Sequence, residues 1–228
     1  NMTDVIWTFG TVGGAIFLGV NIAGLLGWVE RKQSAVMQDR IGANRASIFG
    51  ITILGLFHPI ADAIKMLTKE DFRPRGAVPV LFGIAPGISL GFALACFGTL
   101  PFGGAIEFAG RAWDLQPIPS SVGLPLVLAL LSLGVHGVVM AGYASGSNYA
   151  LIGGLRGAAQ MISYEVCLAA SLAAPAFVYG TLDLQEAVLW QGRHYWGVLV
   201  QPLAFLLFLT AGAAVTKRTP FDVPEGES

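Results

Sequence analysis

Charged residues are absent from four long stretches of this chain, 5–29, 77–100, 122–143 and 197–215. A fifth stretch, 158–179, carries one charge, Glu165. Each is close to or above the roughly 20 residues that a helix rising 1.5 Å per residue needs to cross a hydrocarbon core of about 30 Å. Pro79, Pro86, Pro125 and Pro202 fall within these stretches, which membrane helices tolerate when neighbours satisfy the freed carbonyls. The pattern predicts an all-α fold: a polytopic transmembrane helix bundle with five spans here, forming one transmembrane domain over 1–228. Between the first two spans the period changes. His58, Asp62, Lys65 and Lys69 recur at helical spacing while Phe57, Ile60, Ile64 and Leu67 fill the other face. That predicts an amphipathic surface helix over 57–69, with Pro59 in its first turn.

Composition agrees with a bilayer as solvent. Of 228 residues 54% are hydrophobic and 12% charged, with mean hydropathy +0.68, against about 25% charged in soluble domains. The first run has no basic residue ahead of it and no small-residue cleavage site, so it reads as a span and not a signal peptide. Basic residues then orient the chain. Arg31, Lys32, Arg40, Arg45, Lys65, Lys69, Arg73 and Arg75 fall in the first loop, Arg156 in the third, and Lys217 and Arg218 in the tail. Only Arg111 and Arg193 lie on the other side. The positive-inside rule places the odd loops in the cytoplasm, which predicts a multi-pass protein of the cell inner membrane; a mitochondrial inner membrane fits less well with the alanine- and glycine-rich usage.

Several chemistries are excluded. A net charge of −1 offers no basic field for nucleic acid. Cys96 and Cys167 stand alone in apolar runs and read as small buried hydrophobes, not as ligands of a metal or iron–sulfur centre. His136 is the one histidine inside a span, which leaves a haem without its second ligand and marks this residue as a packing histidine. There is no Walker A or dinucleotide-binding glycine motif. The chain is therefore expected to carry no redox cofactor and no metal. What remains is a gathering of titratable groups toward the cytoplasmic side. Glu30 ends the first span beside Arg31 and Lys32. Arg156, Gln160 and Tyr164 follow at intervals of four, on one helix face leading toward Glu165. An isolated carboxylate at that depth costs about 2.5–3.5 kcal/mol on insertion scales, so Glu165 reads as lining a ligand or water cavity. The acids Asp114, Asp183 and Glu186 read as loop residues.

Four blocks in order carry a family resemblance. Glu30-Arg-Lys-Gln-Ser-Ala-Val-Met-Gln38-Asp39-Arg40-Ile-Gly42-Ala-Asn44-Arg45 resembles the first-loop signature of the NADH dehydrogenase subunit 1 family of respiratory complex I, whose bacterial members are designated H. Pro59-Ile-Ala-Asp62-Ala-Ile-Lys65-Met-Leu-Thr-Lys69-Glu70 is similar to its next block. The segments from Tyr149 to Val166 and from Thr219 to Ser228 match again. The resemblance implies a fold of eight spans and a C-terminally truncated chain, with roughly three further spans beyond Ser228. It implies a membrane subunit of a respiratory NADH:quinone oxidoreductase, a proton translocase. This subunit would join the hydrophilic and membrane arms and wall a chamber in which the substrate quinone approaches an iron–sulfur cluster of a neighbouring subunit. By the same resemblance, Arg31, Lys32, Gln38, Arg40, Asp62, Lys65 and Arg156 match the quinone-chamber positions. Glu30, Glu165, Glu225 and Glu227 match a proton path toward small membrane subunits and the antiporter-like pumps. No catalytic residue is implied in this chain itself.

The sequence departs from the family pattern at three places. Val215 replaces a usual glutamate, His58 a usual glutamine and Ala43 a usual proline. The first removes a carboxylate from the acidic path. It keeps open a homologous anchor subunit of a membrane-bound hydrogenase or formate hydrogenlyase, and a stand-alone ion channel or transporter remains a further alternative.

Overall fold

The computed structural model describes residues 2–47, 50–108, 111–217 and 221. Contacts divide the chain into two compact units, Asn1–Phe72 and Arg73–Ser228. The first begins with a helix over Met2–Met37 (α1), longer than the uncharged run that predicts it. Glu30, Arg31, Lys32 and Gln33 are good helix formers and extend it by two turns past the apolar stretch. A short 3₁₀ turn over Ile53–Gly55 then leads into α2 over His58–Thr68, with proline in its first turn. The chain folds back on α1 here: the Trp28 indole donates to the Leu54 carbonyl at 3.2 Å.

The second unit holds α3 (Pro79–Gly98), α4 (Gly123–Ala144), α5 (Asn148–Tyr179), α6 (Leu184–Arg193), α7 (Gly197–Val200) and α8 (Pro202–Val215). α3 packs along α4, α4 along α5, and α5 along α8. The α3–α4 crossing is close because position 137 has no side chain. A Cβ on Gly137 would stand 2.6 Å from the Ala85 carbonyl oxygen, and Ser89 donates to the Gly134 carbonyl at 2.9 Å across the same seam. Small residues bring membrane helices together in this way. Between α5 and α8, Leu168, Ala211 and Val215 form a buried cluster, covered by Leu128 and Leu131 of α4.

Phe17, Leu26, Val80, Phe177 and Leu203 point outward. A surface so apolar on helices so long is that of a membrane protein. Among the described residues, four helical segments are long and apolar enough to cross a membrane: Phe9–Met37, Pro79–Gly98, Gly123–Ala144 and Asn148–Tyr179.

Three features differ from the sequence expectation. The loop before the fourth span shrinks to a three-residue turn, and Arg156 lies inside α5, which starts at Asn148. Within α5, Gly154 allows a close approach to α4, since a Cβ there would stand 3.1 Å from the Val138 carbonyl oxygen. The last apolar stretch is split, with Gln201 non-helical between α7 and α8. Pro202 disfavours helical geometry at the residue before it and removes a donor. Finally, the loop after α3 contains an antiparallel hairpin, β1 (Ala105–Phe108) paired with β2 (Arg111–Asp114), with Ala105 opposite Asp114 and Phe108 opposite Arg111. The fourth loop contains α6, whose N-cap Asp183 accepts from the Gln185 amide at 2.8 Å.

Candidate functional site

The first unit gathers charge where α1 leaves its apolar stretch. Glu30, Arg31, Ser34, Arg40, Gly42 and Ala43 line a cavity of about 580 Å³. The segment after α1 turns back because Gly42 adopts φ +74°, and a Cβ there would lie 2.6 Å from that of Ala35. This return places Arg40 beside the last turns of α1. Arg31 reaches Asp62 on α2, donating from Nη1 to Oδ2 at 2.5 Å. Arg40 donates from Nε to the Gln38 side-chain oxygen at 2.7 Å, which holds its planar head in one orientation. Lys32 turns aside to the Ile41 carbonyl at 3.4 Å. Lys65 is exposed one turn beyond Asp62 and does not line the cavity. The unit thus joins Glu30, Arg31, Arg40, Gln38 and Asp62 into one cluster. The Arg31–Asp62 pair, with Arg31 exposed and Asp62 half-buried, contributes about 0–1 kcal/mol to stability. Its main effect is positional, since it ties α2 to the end of α1.

Glu165 belongs to the second unit and has the opposite surroundings. It is 9% exposed. Its Oε2 accepts from the Ser132 hydroxyl of α4 at 2.7 Å, while its Oε1 is buried without a hydrogen-bond partner among the described residues. Buried polar atoms are paired in the great majority of cases. A carboxyl that keeps one oxygen open has room for a further donor such as water. Leu168 and Val215, close by in chain or fold, make its surroundings apolar.

The helix face predicted to lead to Glu165 exists on α5, and it is engaged by the start of the tail. Gln160 donates to the Phe221 carbonyl at 2.6 Å, and the Tyr164 ring meets that of Phe221 edge-on with centroids 5.5 Å apart. Arg156 is exposed one turn earlier. Glu225 and Glu227 lie outside the described residues, as do Arg218 and Asp222. Ser132 is a site residue that sequence reasoning misses. A hydroxyl in an otherwise apolar span is its one signal, and nothing in the spacing pairs it with a residue 33 positions later. Among the described residues, no group of three His, Cys, Asp or Glu side chains gathers as metal ligands would.

Comparison with known proteins converges on one family. The family described as NADH dehydrogenase matches residues 11–228. The chain is 44% identical over 211 residues to the NADH-quinone oxidoreductase subunit designated H 2 of Geobacter sulfurreducens, covering 92% of this chain and 62% of that protein. It is 45% identical over 205 residues to the subunit designated H of the same enzyme in Protochlamydia amoebophila, covering 90% and 61%. For the counterpart in Thermomicrobium roseum the identity is 44% over 212 residues, covering 88% and 60%. The chain therefore spans less than two thirds of the length of these relatives. With a matched segment that takes in both the charged end of α1 and the buried Glu165, this chain belongs to the NADH dehydrogenase family.

Proposed function

We propose that the chain is part of the quinone-chamber membrane subunit of a respiratory NADH:quinone oxidoreductase, and that it couples quinone reduction to proton translocation where the hydrophilic and membrane arms join. The observation that carries the reading is the cavity bordered by Glu30, Arg31 and Arg40 at the end of a membrane helix. Its size falls within the ~300–1,000 Å³ range of small-molecule sites. A quinone is uncharged and lipid-soluble, but its reduction draws protons and creates negative charge in passing. Arg31 and Arg40, one held by Asp62 and the other by Gln38, are placed to meet such charge.

In this reading Lys32, Lys65 and Arg156 complete the chamber lining. The electrons come from an iron–sulfur cluster in a neighbouring subunit of the hydrophilic arm. Glu30, Glu165, Glu225 and Glu227 relay the resulting change in charge as proton uptake toward small membrane subunits and the pumps beyond them. The half-partnered carboxyl of Glu165 suits that role, because a low-dielectric setting strengthens its response to any nearby change of charge. In this reading the chain lies in the cell inner membrane, with the cluster of Glu30, Arg31 and Arg40 on the cytoplasmic side.

Photolabelling the complete assembly with an azido-quinone tests the chamber. Label should map to the peptide containing Arg31–Arg40, and excess quinone should suppress it. Absence of label there, in an assembly that reduces quinone, defeats the proposal. The same test addresses a second reading favoured by the buried, apolar Val215, an anchor subunit of a membrane-bound hydrogenase, which would take no label.

A further inference from the structure

One polar side chain in the cavity of the first unit is uncommitted. Ser34 lines that cavity with Gly27, Glu30 and Arg31, residues spaced three and four apart on one face of α1. It is half-buried, and among the described residues its hydroxyl makes no hydrogen bond. The other serines inside described helices all commit theirs. Ser89 donates to the Gly134 carbonyl at 2.9 Å and Ser132 to Glu165 at 2.7 Å. Ser163 and Ser171 turn back on carbonyls of their own helix, those of Ala159 and Leu168, at 2.7 Å each. That local bond is open to any helical serine, and Ser34 leaves it unmade.

We infer that Ser34 recognises the reduced ring, its hydroxyl accepting a hydrogen bond from the O–H of the quinol. The inference rests on the reading of this cavity as part of the quinone chamber.

Hydrogen-bond polarity carries it. A quinone ring oxygen can only accept. Once two electrons and two protons have arrived, each ring oxygen is a hydroxyl with a proton to donate. Arg31 and Arg40 suit the first state, because a guanidinium has donors and no acceptor. Neither can take the new O–H. Glu30 is the other acceptor side chain in the wall, and it is already engaged. A serine hydroxyl both donates and accepts, and it rotates to suit. Ser34 can therefore donate to the quinone and then accept from the quinol with neither partner displaced. The guanidinium groups cannot exchange roles in this way and are fixed besides, Arg31 by Asp62 at 2.5 Å and Arg40 by Gln38 at 2.7 Å. Gly27 leaves the far end of the same helix face bare, since a Cβ there would meet nothing within 4 Å, so a flat ring can lie along it. An O–H enclosed without an acceptor is costly, and Ser34 removes that cost for the product.

The test uses the complete assembly in nanodiscs, with a short-chain benzoquinone as substrate and two competing ligands, its quinol and the dimethyl ether of that quinol. The ether keeps the ring and its acceptor oxygens but has no O–H. For Ser34→Ala the inhibition constant of the quinol should rise about fivefold, the loss expected for one neutral hydrogen bond. The KM for quinone should rise by less than about twofold, because two guanidinium groups still donate to it, and inhibition by the ether should not change. Alanine is the strongest helix former, so this substitution leaves α1 intact. Ser34→Thr retains a hydroxyl and should hold quinol inhibition within about twofold of the unsubstituted protein. The inference is overturned if Ser34→Ala leaves quinol inhibition unchanged. It is equally overturned if quinone, quinol and ether all weaken together, which would mean lost shape and not a lost acceptor. Where azido-quinone labels the Arg31–Arg40 peptide of the same assembly, such a result removes the role of Ser34 and leaves the chamber standing; without that label both fall.

Discussion

Asp62 and Glu165 are both carboxylates of a membrane protein, and their surroundings could hardly differ more. Asp62 is half-buried on α2, paired with a guanidinium that can itself reach solvent. Glu165 is buried on α5, with the Ser132 hydroxyl on one oxygen and no partner for the other among the described residues. The first arrangement serves position, holding Arg31 over a cavity. The second leaves one carboxyl oxygen open, with room for a donor such as water. The contrast teaches that a carboxylate's partners, more than its presence, separate a structural charge from a responsive one.

The largest test of that contrast is Glu165→Gln. It preserves shape and the Ser132 contact but removes the ability to ionise. Quinone-linked proton translocation in reconstituted vesicles should fall at least about tenfold, while electron transfer from donor to cluster stays unchanged. An unaltered proton-to-electron ratio would reduce Glu165 to a structural group.

Gly137→Val comes next, because it drives a branched side chain into the Ala85 carbonyl and Ser89. Overpacking of this kind costs about 1–3 kcal/mol. Thermal unfolding should start earlier, and since α4 carries Ser132, the hydroxyl would shift away from Glu165. Ser132→Ala isolates that bond. A double-mutant cycle with Glu165→Ala, which removes the acceptor, should yield about 0.6–1.7 kcal/mol, the range for hydrogen bonds between membrane helices, and be insensitive to salt.

The smallest effect belongs to Arg31 and Asp62. A cycle of Arg31→Ala and Asp62→Ala should give about 0.2–1 kcal/mol, shrinking as salt rises, since exposed charges are screened over about 8 Å at physiological ionic strength. A larger, salt-independent coupling would mean that Asp62 is as enclosed as Glu165, and the comparison would collapse.

Much of this architecture can be read from the chain because lipid imposes a simple rule: uncharged for twenty residues, or not a span. That rule locates α1, α3 and α4 to within a few residues at their apolar ends. It fails where charge and backbone preference disagree. The apolar run begins only at Ala158, yet α5 starts at Asn148 and carries Arg156 well inside the helix. Gln201–Pro202 looks like span because it is uncharged, yet proline stereochemistry breaks the helix there. In the site, Arg31, Arg40 and Glu165 are legible as costly charges near or within apolar runs. Their partners are not, since Asp62 lies 31 positions from Arg31 and only tertiary packing brings them into contact. Ser132 carries no charge, and so nothing distinguishes it before the helices are assembled.

The break before Pro202 has a mechanical consequence. α8 has 14 residues, about 21 Å of helix at 1.5 Å each, shorter than an average hydrocarbon core. The single turn of α7 and the non-helical Gln201 make up the difference only while they stay in line with α8, and any mismatch left by a thicker bilayer is met by thinning it at a cost of fractions of a kcal/mol per Å. Host membrane thickness is thereby a force on α8 and, through Val215 and Leu168, on the helix that holds Glu165. Short-chain lipids should relax that force, and long-chain lipids should pull on it.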